Sequence, residues 1–468
     1  MKLKHENLAI ETERPFANCK LDREQYANIL TSLVKNYSKG FVLAINNEWG
    51  TGKTTFVKMW EQMLKIQGFK TLYFNAWEND FENGATTALM SELSTIKETS
   101  TEILFNKVVE KGAVLTKSLI PILIKSAIAK HLDIDILKDC LNDITENADK
   151  LLQSQIEEYQ LKKKGLKEFK KSLEDFIKKS SSDKPIVFII DELDRCRPDY
   201  AVEVLEKLKH FFSVPGIVFV LSIDKIQLGN AVRGVYGSEN INADEYLRRF
   251  IDLEYSIPEP KTELFCKYLY EYFEFDAFFY SQKRNNYGEL QHDSNKFIEM
   301  SVRLFKYGKL TLRQQEKIFA HARVVINCFK SNNYIFPSMF VMLIYIKLHH
   351  PDLYSNLNTK KLSIQEMIEK VETILPNIKN KEESRTFAYA MVYLVYFYNN
   401  MDGYNKSYLF EDNEQFERKF KWKSRLNIEN DNIFEEIIPL ISNRIEYNNL
   451  SLSFLFSKID LIDNFHID

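Results

Sequence analysis

The sequence predicts an α/β fold: a mostly parallel sheet flanked by helices on both faces, with a helical insert within it and an α-helical region after it. Three observations predict this. Short apolar runs at residues 41–45, 185–190 and 216–221 have the length and β-branched content of strands buried on both faces. Stretches with helical apolar spacing alternate with them, which implies right-handed crossovers and parallel pairing. After Pro258-Glu259-Pro260 the pattern becomes helical, aromatic-rich and Asn-rich, with turn signals at Asn285-Asn286 and Asn399-Asn400 and no internal repeat.

Taken in order, residues 22–35 place Tyr26, Ile29, Leu30, Leu33 and Val34 on one helix face, with Asp22 positioned to cap it. The strand at 41–45 follows Gly40. A helix starts at Thr54, with Phe56, Trp60, Met63 and Leu64 on one side, and a strand spans 71–75. Residues 96–184 read as a Lys- and Glu-rich helical insert. Its stretch 113–129 is apolar, but Lys117, Pro121 and Lys125 interrupt it, and about 20 apolar residues are needed to span a bilayer. A packed helical hairpin is therefore expected, with a surface amphipathic contact left open. The strand at 185–190 leads to a helix bearing Val202, Leu205, Leu208, Phe211 and Phe212, and then to the strand at 216–221. Ile251, Leu253, Tyr255 and Ile257 alternate with polar residues as in a half-exposed edge strand. The expected organisation is a core of 1–95 and 185–260, the insert 96–184, a helical region 261–360 and a further helical region 361–468 to which no role is assigned.

With 63 Lys and Arg against 66 Asp and Glu, the net charge of −3 gives no global basic field for nucleic acid, although a local patch would escape that test. Lys162-Lys163-Lys164 and Lys170-Lys171 are the candidate patch, and such runs are ordinarily solvated helix faces. The five cysteines, Cys19, Cys140, Cys196, Cys266 and Cys328, are scattered without CxxC spacing, which points away from zinc and disulfides and toward a reducing, cytoplasmic compartment. The first residues, Met1-Lys2-Leu3-Lys4-His5-Glu6, lack the apolar stretch of a signal peptide. Abundant Lys and Asn suggest an AT-rich bacterial genome.

The chemistry concentrates at Asn46-Asn47-Glu48-Trp49-Gly50-Thr51-Gly52-Lys53-Thr54-Thr55, between a buried strand and an amphipathic helix. That is the setting of a Walker A phosphate loop: backbone N–H groups and the helix N-terminus converge on phosphate, and glycines allow close approach. Lys53 is expected to bridge the β- and γ-phosphates of ATP or GTP, and Thr54 to ligate Mg2+. Asn47 stands where the pattern begins with glycine; since Asn tolerates positive φ, the turn is expected to survive. Ile189-Ile190-Asp191-Glu192 ends another buried strand with paired acids, Asp191 to hold Mg2+ and Glu192 to orient and deprotonate the attacking water. Ser222 and Asp224 end the third run, where a γ-phosphate sensor or a plain strand-end turn would sit. Arg248, Arg249 and Arg313 are candidates to deliver a guanidinium to the γ-phosphate, in cis or from a neighbouring subunit.

These motifs resemble the KAP family of P-loop NTPases, in the STAND group of AAA-like, additional-strand ATPases. The resemblance rests on Glu48-Trp49-Gly50-Thr51-Gly52-Lys53-Thr54, on Phe74-Asn75-Ala76-Trp77-Glu78, on Ile190-Asp191-Glu192-Leu193-Asp194-Arg195-Cys196 and on Tyr246-Leu247-Arg248-Arg249-Phe250-Ile251, with softer matches at Leu21-Asp22-Arg23 and Leu312-Arg313. The acidic block more often reads Asp-Asp in the family. The resemblance spans about residues 15–330 and implies ATP as nucleotide, a helical lid at 261–360 and an insert between the Walker motifs. Many relatives carry membrane helices in that insert, and the broken stretch here does not match them. Bacterial relatives include proteins that exclude or defend against phage and plasmids.

The leading expectation is a regulatory ATPase whose nucleotide state controls conformation, self-assembly or a partner protein. A nucleotide-binding scaffold without turnover and a small-molecule kinase are the alternatives. No nuclease, deaminase or protease constellation is present, and the eight histidines are dispersed.

Overall fold

Five strands, β1 (Val42–Asn46), β2 (Thr71–Asn75), β3 (Ile186–Asp191), β4 (Ile217–Ile223) and β5 (Leu253–Tyr255), form one all-parallel sheet in the order β2-β3-β4-β1-β5. The structure is a computed structural model that describes residues 8–37, 39–81, 84–116, 148–181, 183–209, 211, 214–376, 381–402, 409–412, 418–426, 433–442 and 450–461. It divides into two units with separate cores, residues 8–258 and the chain from Glu259 onward.

Every residue of β3 and β4 is buried, as the continuous apolar runs require of strands covered on both sides. Successive side chains alternate between two layers. Leu43, Ile45, Val187, Ile189, Val218 and Val220 meet helices α1 (Glu24–Asn36) and α2 (Lys53–Ile66), where Phe56 and Trp60 are fully buried. The Trp60 indole donates to Thr31 Oγ1 at 2.9 Å, so burying this large ring leaves no orphan donor. Val42, Ala44, Phe188, Ile190, Phe219 and Leu221 face the opposite layer. That layer is built from α3 (Ala85–Ser94), α4 (Glu102–Thr116), α5 (Ala148–Ser180), α6 (Pro198–Leu208) and α7 (Lys225–Tyr236), followed by the short α8 (Ala243–Leu247).

Helices α4 and α5 are the described ends of the insert. They pack on each other and send Phe105, Val108, Phe169, Leu173, Phe176 and Ile177 into the sheet's own core. The apolar stretch 113–129 lies outside the described residues from 117 on, and Phe212 and Cys140 also lie outside. Among the described residues no helix is long and apolar enough to cross a membrane.

Three local expectations are corrected. Asp22 does not cap α1: it takes φ of +53°, its carboxylate accepts from Gln25 Nε2, and Arg23 occupies the cap position with no side-chain cap bond. Ile29, placed on the apolar face by spacing, is 56% exposed because Ala27, Leu30, Thr31 and Val34 carry the packing. In β5, Leu253 is exposed, and Ile257 beyond the strand supplies the buried contact.

In the C-terminal unit the helix Pro337–His349 is apolar all round and buried, the pattern of a central helix. Helices Asp293–Tyr307, Leu312–Ile326 and Lys381–Asn399 pack against it. The unit is not wholly helical, since Phe410–Asp412 and Arg418–Phe420 pair antiparallel. The helices Gln282–Asn285 and Lys381–Asn399 end at the Asn turn signals.

Candidate functional site

The site forms at the carboxyl ends of the strands. Between the end of β1 at Asn46 and the start of α2 at Lys53, Gly50 and Gly52 each take φ of +81°, a region other residues rarely enter. Thr51 Oγ1 donates to Glu48 O at 2.8 Å across the loop. Lys53 is 8% exposed, and its ammonium donates to Asn47 O and, at 3.0 Å, to Glu48 O, so the loop wraps its own lysine. Burial lowers the Lys53 pKa, while the carboxylates of Asp194, Asp224 and Asp191 pull it back up. Thr54 and Thr55 follow in the first turn of α2, both partly exposed.

Asn47 does not use the positive φ expected of it. Its side-chain amide instead pairs with both main-chain groups of Ile257, Oδ1 accepting from Ile257 N and Nδ2 donating to Ile257 O, each at 2.9 Å. The amide thus adds a rung where the β1–β5 ladder has ended.

The acidic side comes from β3. Asp191 is 1% exposed; Oδ2 accepts from the Tyr73 hydroxyl at 2.8 Å and Oδ1 from the Glu192 amide at 3.0 Å. Glu192 stands at φ of +61°, a strained position for a non-glycine residue and one that recurs at functional sites. Its Oε1 accepts from Arg195 Nη1 at 2.8 Å and from Thr54 Oγ1 at 3.2 Å, joining the start of α2 to the end of β3. Burial raises the Glu192 pKa, opposed by the Arg195 charge. Asp194 accepts from the Trp49 indole; burial raises its pKa and that hydrogen bond opposes the rise. The Arg195 guanidinium also lies 5.9 Å from the Trp77 ring centre. Asn75 Oδ1 accepts from the amides of Trp77 and Glu78 at 3.1 and 3.3 Å, shaping the turn after β2.

The remaining candidates divide. Ser222, in register with Asp191 on the neighbouring strand, is fully buried and its hydroxyl has no hydrogen-bond partner among the described residues. Asp224 is committed to capping α7, accepting from Ile226 N at 3.1 Å and Gln227 N at 3.2 Å. Arg248 and Arg249 precede β5, which runs parallel to β1, so they sit toward the end of the sheet where strands enter, opposite Lys53. They are not brought to this chain's own phosphate loop, and Arg248 pairs at 3.6 Å with Glu245. Arg313 stands in the first turn of the helix Leu312–Ile326, in the C-terminal unit.

Two contacts escaped the sequence reading. Tyr73 reaches Asp191 only because β2 and β3 pair in this register. Arg23, named in the sequence only within the softer family match Leu21-Asp22-Arg23, donates to Thr51 O at 2.8 Å and Gly52 O at 3.3 Å. The Thr54 hydroxyl and the Asp191 carboxylate are oxygen donors of the kind that would suit Mg2+. No cluster of three His, Cys, Asp or Glu among the described residues would hold a metal alone.

The KAP family P-loop domain matches the chain over residues 23–318. No curated protein matches it. Among solved structures it is similar to the Aeropyrum pernix ORC2 protein in its ADPNP–ADP complexes, with 10% identity, covering 84% of this chain and 88% of that one at a TM-score of 0.31. It is also similar to a DNA replication initiation factor, with 13% identity, covering 97% of this chain and 98% of that one at a TM-score of 0.28.

Proposed function

We propose that this chain, which belongs to the KAP family of P-loop NTPases, binds ATP with Mg2+ and hydrolyses it as a regulatory switch. The observation that carries the reading is the meeting of Thr54 and Glu192 at 3.2 Å, which sets the phosphate loop's hydroxyl beside the acid pair of β3. In this reading Lys53 and the loop amides hold the β- and γ-phosphates, and Asn47 to Thr55 frame them. Thr54 and Asp191 hold Mg2+, which neutralises phosphate charge when bound. Glu192 orients a water and takes its proton, a role that burial suits by raising its proton affinity. Ser222, whose buried hydroxyl has no hydrogen-bond partner among the described residues, reads the γ-phosphate, and Asp224 supports it by fixing α7. A guanidinium from Arg248 or Arg249 serves in trans, from a second copy, because in cis these residues lie at the wrong end of the sheet. Arg313 is the lid's candidate.

The switch output is self-assembly or a partner protein, in the cytoplasm. A bacterial defence role rests on the family resemblance alone. Steady-state ATP turnover with Mg2+ tests the reading, with Lys53→Ala and Glu192→Gln alongside. Turnover in the parent, lost in both variants while Glu192→Gln still binds ATP, is the expected result. Tight binding without turnover supports the scaffold reading instead, and no binding by the parent overturns both.

A further inference from the structure

We propose that Arg23 is a positioning residue for the phosphate loop, aiming the N–H groups of Gly52 and Lys53 at bound phosphate by holding the carbonyls of Thr51 and Gly52. The inference rests on the nucleotide-binding reading above. Its geometric basis is the planar trans peptide, in which a carbonyl and the following N–H point in opposite directions. Arg23 Nη2 holds Thr51 O at 2.8 Å, which turns the Gly52 N–H the other way. Nη1 holds Gly52 O at 3.3 Å and does the same for the Lys53 N–H. Gly52 O also accepts the first α2 hydrogen bond, from Phe56 N at 3.1 Å, so Arg23 and the helix fix that peptide together.

The loop needs an outside constraint because glycine is the least restrained residue, and Gly50 and Gly52 leave its peptides free to rotate. Arg23 is suited to supply one. It is 3% exposed, and its planar fork can engage two carbonyls at once. Its partners also mark it as functional. Among the described residues no carboxylate pairs with it, and its Nε is buried without a hydrogen bond. A buried guanidinium left in that condition costs stability rather than adding it. A residue kept only for packing would be better served by an apolar side chain of similar length.

The test uses the full chain with Arg23→Met and Arg23→Lys, reading Kd for Mg2+·ATP and for Mg2+·pyrophosphate together with the melting temperature. Arg23→Met is expected to weaken both ligands by about 10- to 100-fold, the loss of hydrogen bonds from a charged donor, with melting within a few degrees of the parent. Arg23→Lys, which keeps the charge but not the fork, should fall between the two. Parental affinity in Arg23→Met overturns the proposal. So does weakened ATP binding with unchanged pyrophosphate binding, which would place Arg23 at the base or sugar instead. If Arg23→Met fails to fold, Arg23→Lys decides alone: parental affinity overturns the proposal and a partial loss supports it. Absence of binding by the parent would instead sink the underlying reading.

Discussion

Tyr73 and the Glu192 amide grip Asp191 from two sides, at 2.8 and 3.0 Å, so the proposed Mg2+ ligand is already aimed by its neighbours. A ligand's supporting hydrogen bonds commonly matter to metal affinity nearly as much as the ligand itself. Tyr73→Phe keeps the ring and removes only the hydroxyl. The Mg2+ concentration for half-maximal ATPase activity should rise about tenfold, with little change in melting temperature; an unchanged Mg2+ titration would mean that Asp191 needs no such support. Arg195 plays the corresponding part for Glu192, held at 2.8 Å against a backbone in the left-handed region. Arg195→Ala should leave the proposed general base misdirected, lowering kcat about tenfold or more while KM for ATP changes little. Partial recovery in Arg195→Lys would separate positioning of Glu192 from a bulk packing effect. A rise in KM alone would assign Arg195 to binding.

At the scale of elements, Asn47 shows how one side chain ties the loop's entry to an edge strand only three residues long. Its amide makes two hydrogen bonds to Ile257, and Asn46 adds a third tie through Glu254 at 2.7 Å. Removing both Asn47 bonds in Asn47→Ala should lower unfolding stability by about 1–3 kcal/mol. Urea denaturation should show this as a lower midpoint at unchanged slope; an unaltered midpoint would mean that water replaces the amide without cost. Strands β1, β3 and β4 were legible in the sequence because strands covered on both faces must be apolar throughout, and the neighbourhood of Thr54 and Glu192 was legible because parallel strands bring their carboxyl ends, and the loops that follow them, to one side of the sheet. Arg23, Tyr73 and the actual use of Asn47 were not. Each acts through a partner 28 to 210 residues away that only the strand register and the helix docking bring within reach. The position of Arg248 and Arg249, toward the end of the sheet where strands enter, was not legible either, since a sequence does not say at which end of a sheet a residue will lie.

At the scale of the whole molecule, each unit has its own core, so each can respond separately to solution conditions. The C-terminal unit carries a pH dependence of its own. His321 is desolvated against Ile459 O at 3.0 Å, and burial lowers its pKa, with Lys347 lowering it further and Asp460 opposing. His349 and His350 are lowered as well, mainly by burial, with His350 and Lys317 adding to the effect on His349. A histidine with a depressed folded pKa binds fewer protons folded than unfolded. Its contribution is therefore intact above the unfolded value, about 6.5, and is lost as pH falls below it, because protonation draws the chain toward the unfolded state. Calorimetric scans of the full chain between pH 8 and 5 should show the C-terminal unit's transition moving to lower temperature on the acid side. His321→Gln keeps a donor for Ile459 O without a titrating ring, so it should flatten that dependence. An equal acid shift in His321→Gln would move the effect to His349 and His350, and no shift in either protein would mean that acidification leaves these three rings neutral. If the C-terminal unit is where the nucleotide signal is read out, mild acid should weaken the output while Arg23, Lys53 and the rest of the phosphate loop, held in the other unit, still bind nucleotide.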